Sequence, residues 1–320
     1  MIAASLGYIF SFATLEYMPF QNVYSQLVPN RSNGLYQGFL RVFVYPSLWV
    51  ASAIASITFF VQVTLDLVPD WRPAALAFCA ALIPYNLDRI LDTFVQKIPD
   101  RQTQDFFRKP DVLVILVVAA ASTGILLYQA PLSVRWVSLG GLVPLIYGLP
   151  LFPWRSSAKS IRWYRLKDIP GAKAWLVCGS ITYAVVGLPL GYAMQRPDLS
   201  AVITALWLLI FIGSNSHMFD VRDVESDQQY GVSTLPLLAG VDGARLILTA
   251  FNALSLALLV WGWTNGLSVP GDAIALPATL LTLVYIWTLT PQTPRQVYNI
   301  WIDGILFLPT LLTVILPFLY

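Results

Sequence analysis

Two clusters of aspartate stand out in a chain that carries few charges. The first is the pair Asp88 and Asp92, within Tyr85-Asn86-Leu87-Asp88-Arg89-Ile90-Leu91-Asp92. Residues four apart share one face of a helix, so these two carboxylates are predicted one above the other. The second cluster is Asp220, Asp223 and Asp227. Its spacing of three and then four predicts a single stripe three carboxylates deep, with Gly231 and Pro236 ending the helix beyond it. Like charges this close repel unless a cation lies between them. Carboxylates are the donors that a hard divalent ion takes, and phosphate oxygens complete its shell. The chemistry expected of these residues is therefore a magnesium-type diphosphate site.

The elements that must carry them are membrane helices. The 320-residue chain is 57% hydrophobic and 11% charged, where a soluble domain has about 25% charged residues. That deficit excludes an ordinary soluble enzyme, and no basic patch suggests a nucleic-acid partner. A bilayer core needs about 20 apolar residues per span. Nine segments qualify, at about 45–66, 71–87, 111–129, 133–152, 173–194, 199–219, 244–264, 270–290 and 299–319. The expected fold is thus an all-α, integral membrane bundle of about nine helices. It forms one domain over residues 41–320 behind an amphipathic leader at 1–40.

The loops between the nine segments alternate in charge. Arg72, Arg135 and Arg196 fall on one side and every other Lys and Arg falls on the opposite side. Cytoplasmic loops carry the excess of Lys and Arg. The N-terminus and both aspartate clusters are therefore expected to be cytoplasmic, at helix ends meeting one interface. The bilayer would be a bacterial plasma membrane or a thylakoid-type membrane. Asp66 and Asp70 lie on the other side and read as interfacial groups. Cys79 and Cys178 sit in apolar runs and read as small hydrophobes. His217, the sole histidine, reads as a helix-end polar group contacting a neighbour.

A diphosphate also needs cations beyond metal ions, because Arg and Lys stabilise the charge on a departing phosphate group. Arg89, Lys97, Lys167, Lys173 and Arg222 are the candidates, with Arg162 and Arg165 nearby. Lys167, Lys173 and Arg222 stand closest to the aspartates and to helix ends. Plain cytoplasmic charge bias accounts for many of the same residues.

Asp220-x-x-Asp223-x-x-x-Asp227 with its trailing Gly-x-x-Thr-Leu-Pro resembles the second aspartate-rich motif of the UbiA prenyltransferase superfamily. Asp88-x-x-x-Asp92 resembles the later part of that family's first motif, and the nine segments match its helix count. The resemblance implies a membrane prenyltransferase. Its isoprenyl diphosphate would sit on Mg²⁺ held by Asp88, Asp92, Asp223 and Asp227, with Asp220 in support. A lipophilic acceptor, an aromatic or quinone precursor, would attack the allylic carbon.

This chain departs from the family pattern at three points. Pro84 and Phe219 stand where the family has asparagine, and Leu151 stands where it has lysine after Tyr147. Asn86, Asn215, Tyr147 and Asp303 are the candidate supporting residues. A terpene cyclase of the same family, a silent homologue and a transporter are the alternatives. Transporter carboxylates lie nearer the bilayer midplane than these do.

Overall fold

The computed structural model describes residues 34–91, 106, 111–146, 152–157, 160–164, 166, 169–229 and 231–318. Helix α1, Gly34–Phe39, runs on through a π turn at Leu40–Val44. The chain then bends by 61° into α2, Leu48–Thr64. The corner is Tyr45-Pro46-Ser47, with Ser47 in the left-handed region at φ 62°. Helix α3, Trp71–Leu91, continues through Pro84. Asp70 caps its start by accepting from the Arg72 backbone N–H at 2.9 Å, and Asp66 accepts from Ser268 at 3.0 Å. Both act as short-range polar partners away from the two aspartate clusters.

Helix α4, Asp111–Gln129, precedes a helix that is broken in the middle. This is α5, Leu132–Ser138, a 3₁₀ turn at Leu139–Leu142 holding Gly140 and Gly141, and α6, Val143–Ile146. Glycine tolerates the change of helix type at the lowest steric cost. A long uninterrupted segment was expected here. A short antiparallel hairpin follows, β1 at Phe152–Ser157 and β2 at Ser160–Tyr164, with Trp154 opposite Arg162. It is the one departure from an all-helical architecture among the described residues.

Helix α7, Ala172–Tyr192, starts at Gly171 in the left-handed region. Helix α8, Leu199–Arg222, is capped by Asp198, whose carboxylate accepts from the Ala201 N–H at 2.8 Å. A single short turn, α9 at Val224–Gln229, follows it. Helix α10, Leu235–Thr264, is kinked at Gly240, and α11 spans Asp272–Thr288. The chain ends with a π turn at Val297–Ile302 leading into α12, Asp303–Ile305, then a 45° bend into α13, Leu308–Ile315.

Each of the nine expected segments overlaps one of these helices. Among the described residues, Val112–Gln129, α7, α8 and α10 can each cross a membrane by length and apolarity, which makes six spans if each bent pair also counts as one. The surface fits a lipid solvent. Helix α4 exposes Leu113, Val114, Val117, Val118 and Ile125 on successive turns, an apolar face that would drive aggregation in water.

The main core lies where α2, α7, α8, α10 and α11 meet. Ile57, Phe60, Cys178, Trp207, Leu208, Leu259 and Ala278 are buried there. A second cluster of Met218, Val221, Leu248, Tyr285, Tyr298 and Ile302 packs beneath the last turn of α8. It fixes that helix end against α10, α11 and the C-terminal π turn. Arg245, at the edge of the expected segment 244–264 and counted among the cytoplasmic charges, is buried inside α10. It donates to the carbonyls of Ile286 at 3.1 Å and Leu289 at 2.7 Å. That satisfies the open carbonyls at the end of α11.

Candidate functional site

The carboxylates of the second cluster do not form one continuous helical stripe. Helix α8 stops at Arg222, and Asp223 is its C-cap with φ −99° and ψ 12°. Asp227 therefore belongs to α9, held by its N–H bond to the Asp223 carbonyl at 2.8 Å. The break leaves Asp223 with ion-pair partners different from those of the other two.

Lys173, at the first turn of α7, reaches across to Asp227, with Nζ 3.0 and 3.2 Å from its two oxygens. The same ammonium lies 3.4 Å from Asp220. Both carboxylates are buried, Asp220 at 3% and Asp227 at 7% exposure. A buried anion is tolerated when it is paired, and Lys173 serves two. The approach of α7 is fixed by a backbone bond from the Gly171 N–H to the Ser233 carbonyl at 2.6 Å, which ties the start of α7 to the loop after α9.

Asp223 takes a different set of cations. Arg222 Nε donates to it at 2.9 Å and Arg295 Nη2 at 3.3 Å. Arg222 is held in turn by Asn299 Oδ1 at 3.0 Å, with its guanidinium carbon 4.7 Å from the Phe219 ring centroid and 5.7 Å from that of Tyr298. The two carboxylates outside the helix respond in opposite directions. Burial pushes the Asp227 carboxyl up to about 6, with Asp220 and Asp223 adding to that and Lys173 pulling against it. Burial also works against ionised Asp223, but Arg222, Arg295 and Lys173 outweigh it and hold that carboxyl below its ordinary value.

The first cluster is engaged differently. Asn86 is fully buried and donates to the carbonyls of Pro46 at 3.0 Å and Leu82 at 2.8 Å. Arg89 Nη1 donates to the carbonyls of Val44 at 2.6 Å and Tyr45 at 3.2 Å. Both side chains clamp α3 to the corner before α2, so the supporting and diphosphate-binding roles expected of them are joined by a structural one. Asp88 is exposed on the last turn of α3. Asp303 is buried on α12, with Arg89 and Arg222 as its charged neighbours. This places residues from α3, α8 and α12 around one point. Asn215, one turn before Phe219, donates to the Ile302 carbonyl at 2.6 Å and ties α8 to the C-terminal π turn.

His217 is fully buried, with its ring 4.9 Å from that of Trp175 and Nδ1 3.7 Å from Asp220. Neither ring nitrogen has a hydrogen-bond partner. Asp92, Lys97, Tyr147, Lys167 and Arg165 lie outside the described residues, as do the side chains of Arg155 and Arg162.

Among the described residues no group of three or more His, Cys, Asp and Glu side chains converges as a metal cage. The donor chemistry nevertheless fits magnesium. The available groups are carboxylates, the oxygen donors that this ion takes a few at a time beside substrate phosphates. The ammonium and guanidinium groups on Asp220, Asp223 and Asp227 stand where added positive charge is stabilised. Sequence reasoning missed Arg295, Asn299 and Trp175, because each reaches the cluster from a distant stretch of chain and no local spacing marks it.

The profile of the UbiA prenyltransferase family matches residues 86–308. The chain belongs to that family. No curated protein matches it. Among solved structures, a UbiA homologue from Archaeoglobus fulgidus bound to GPP and Mg²⁺ superposes with a TM-score of 0.60 at 12% identity. The match covers 86% of this chain and 98% of that one. An apo UbiA homologue from Aeropyrum pernix K1 gives 0.57 at 15% identity, over 84% and 98%. A structure on the biosynthesis of digeranylgeranylglyceryl phosphate synthase in membranes gives 0.53 at 14% identity, over 87% and 97%. At these identities the likeness speaks for the UbiA fold, and the matched profile for the family.

Proposed function

We propose that this UbiA protein is a Mg²⁺-dependent membrane prenyltransferase. It moves an isoprenyl group from a polyprenyl diphosphate to a lipophilic acceptor, an aromatic or quinone precursor. The observation that carries the reading is the pairing of Lys173 with Asp220 and Asp227 beside the Arg222–Asp223–Arg295 group. Anionic and cationic groups are interleaved there at one helix end, as a metal-bridged diphosphate requires. The A. fulgidus homologue binding GPP and Mg²⁺ supports the same assignment.

In this reading Asp88, Asp92, Asp223 and Asp227 hold magnesium, with Asp220 in support. The bound ion supplies neutralising charge for the diphosphate oxygens. Lys173 and Arg222, with Arg89, Lys97 and Lys167, contact the diphosphate and stabilise it as the allylic C–O bond breaks and the electron pair leaves with it. The acceptor carbon then forms the new bond and loses a proton. Burial of Asp220, Asp227 and Asp303 limits water beside the charges, and water reaching the cation would capture it. The positive-inside distribution of charge supports a multi-pass protein with this site at the cytoplasmic face.

The test is diphosphate release by purified protein with a panel of prenyl diphosphates, with and without Mg²⁺ and aromatic acceptors. Release that needs both establishes the transferase. Release without acceptor assigns a cyclase instead, and no Mg²⁺-dependent binding of any donor overturns the reading.

A further inference from the structure

Asp303 is buried at 7% exposure, yet among the described residues no hydrogen bond or ion pair reaches its carboxylate. A buried carboxylate without such partners is costly, and in a native protein it calls for an explanation. The backbone that carries it is fixed from two sides. Asp303 follows the π turn at Val297–Ile302, a local geometry frequent at functional sites. From α2, Trp49 Nε1 donates to the Ile300 carbonyl at 3.0 Å. The same indole lies against Gly304, where a Cβ would meet Trp49 Cζ2 at 3.3 Å. From α8, Asn215 Nδ2 donates to the Ile302 carbonyl at 2.6 Å.

The ionisable groups around Asp303 come from both aspartate-bearing helix ends. Tyr85 and Arg89 approach from α3, and Arg222 approaches from α8. Both guanidiniums make their hydrogen bonds elsewhere. Arg222 donates to Asp223 and to Asn299 of the same π turn. Arg89 donates to the carbonyls of Val44 and Tyr45 at the corner before Trp49. The charge of Asp303 therefore acts on this group across space, and inside a protein such action is screened far less than in water.

Arg89 and Arg222 are also the guanidiniums assigned above to the substrate's diphosphate. A diphosphate held by them lies in the field of a fixed anion, and the repulsion grows with the charge of the ligand. When the allylic C–O bond breaks, its electron pair stays on the diphosphate. The free product thus carries more negative charge than the ester that entered. A fixed anion weakens the hold on the product more than the hold on the donor. Product release limits turnover in many enzymes.

We propose that Asp303 is a fixed repelling charge that drives the diphosphate product off Arg89 and Arg222. The proposal rests on the prenyl-diphosphate reading above and adds a residue for product release. The sign of its effect separates it from a structural role. Losing a supporting residue loosens a site, whereas losing a repelling one tightens it.

The experiment measures Mg²⁺-dependent binding of inorganic diphosphate and of a non-hydrolysable geranyl diphosphate analogue by calorimetry. The proteins are the wild type and Asp303→Asn, with thermal unfolding followed in parallel. Asp303→Asn should tighten inorganic diphosphate about tenfold or more, the scale of one charge removed from a shielded pocket. The geranyl analogue should tighten less. Equal tightening of both ligands, no tightening, or weakening in a variant that unfolds like the wild type overturns the proposal. The transferase reading then still stands. No Mg²⁺-dependent binding of either ligand by the wild type overturns both. Should Asp303→Asn unfold early, Asp303→Glu decides, because it keeps the charge and extends it by one methylene. Inorganic diphosphate bound as in the wild type or more weakly supports the proposal, and tighter binding overturns it.

Discussion

The ends of α3 and α8 both carry aspartates near one interface, yet they commit their polar groups to different tasks. At the end of α8, Asp220, Asp223 and Asp227 each face a cation drawn from another element or the adjoining turn. At the end of α3, Asn86 and Arg89 are spent on backbone carbonyls of the α1–α2 corner. Asp88 remains on the exposed side. One end is an assembled electrostatic site. The other is clamped to the α1–α2 corner, with Asp88 exposed beside the clamp. Similar spacing of aspartates therefore does not imply similar surroundings, because the partners come from elsewhere in the chain.

Substitutions can break or sharpen this contrast. The largest effect is expected for Asp227→Ala and Asp223→Ala, which should lower donor turnover at least a hundredfold, about 3 kcal/mol of transition-state stabilisation. Steady-state diphosphate release reads this, and unchanged turnover with unchanged Mg²⁺ dependence would remove the metal assignment. Lys173→Ala leaves two buried carboxylates without their shared ammonium and should lower stability by about 3 kcal/mol, seen as earlier thermal unfolding in detergent. Asp88→Asn gives the opposite pattern, with turnover reduced about tenfold or more and the unfolding temperature close to wild type.

Smaller effects follow from geometry rather than charge. Arg222→Lys keeps the charge but loses the planar fork on Asp223 and the contact with Phe219 and Tyr298. Donor affinity should fall about tenfold, or about 1.4 kcal/mol, by titration with a non-hydrolysable prenyl diphosphate analogue. Asn86→Ala should cost about 1–2 kcal/mol of stability while leaving the Mg²⁺ dependence of turnover intact. A loss of Mg²⁺ dependence in that variant would show that Asn86 also supports the metal site.

How far the site was legible in the sequence depends on the distance between partners. Asp220 and Asp227 were placed near one another by helical spacing, and that proximity survives. The continuous stripe does not, because the helix ends at Arg222 and Asp223 is its C-cap. Lys173 could be ranked by its place at a helix start, but its contacts with Asp220 and Asp227 depend on the approach of α7 to α8. Arg245 fell at the very edge of the segment 244–264, among the charges counted to the cytoplasmic side. The structure shows it inside α10, its guanidinium satisfied by the end of α11.

What the sequence determined by itself was the solvent and the predominantly helical class. The low share of charged residues demands a lipid environment, where every backbone group must be satisfied within its own segment and helices are the solution. The second aspartate motif also carried the family, since its spacing lies within a few turns of one helix end. Tertiary structure alone decided the rest. Asp303 meets Arg89 and Arg222, and Tyr183 rests on Gly140, because helices far apart in sequence pack side by side. Such contacts follow from how whole faces fit together, and no local pattern of residues encodes them.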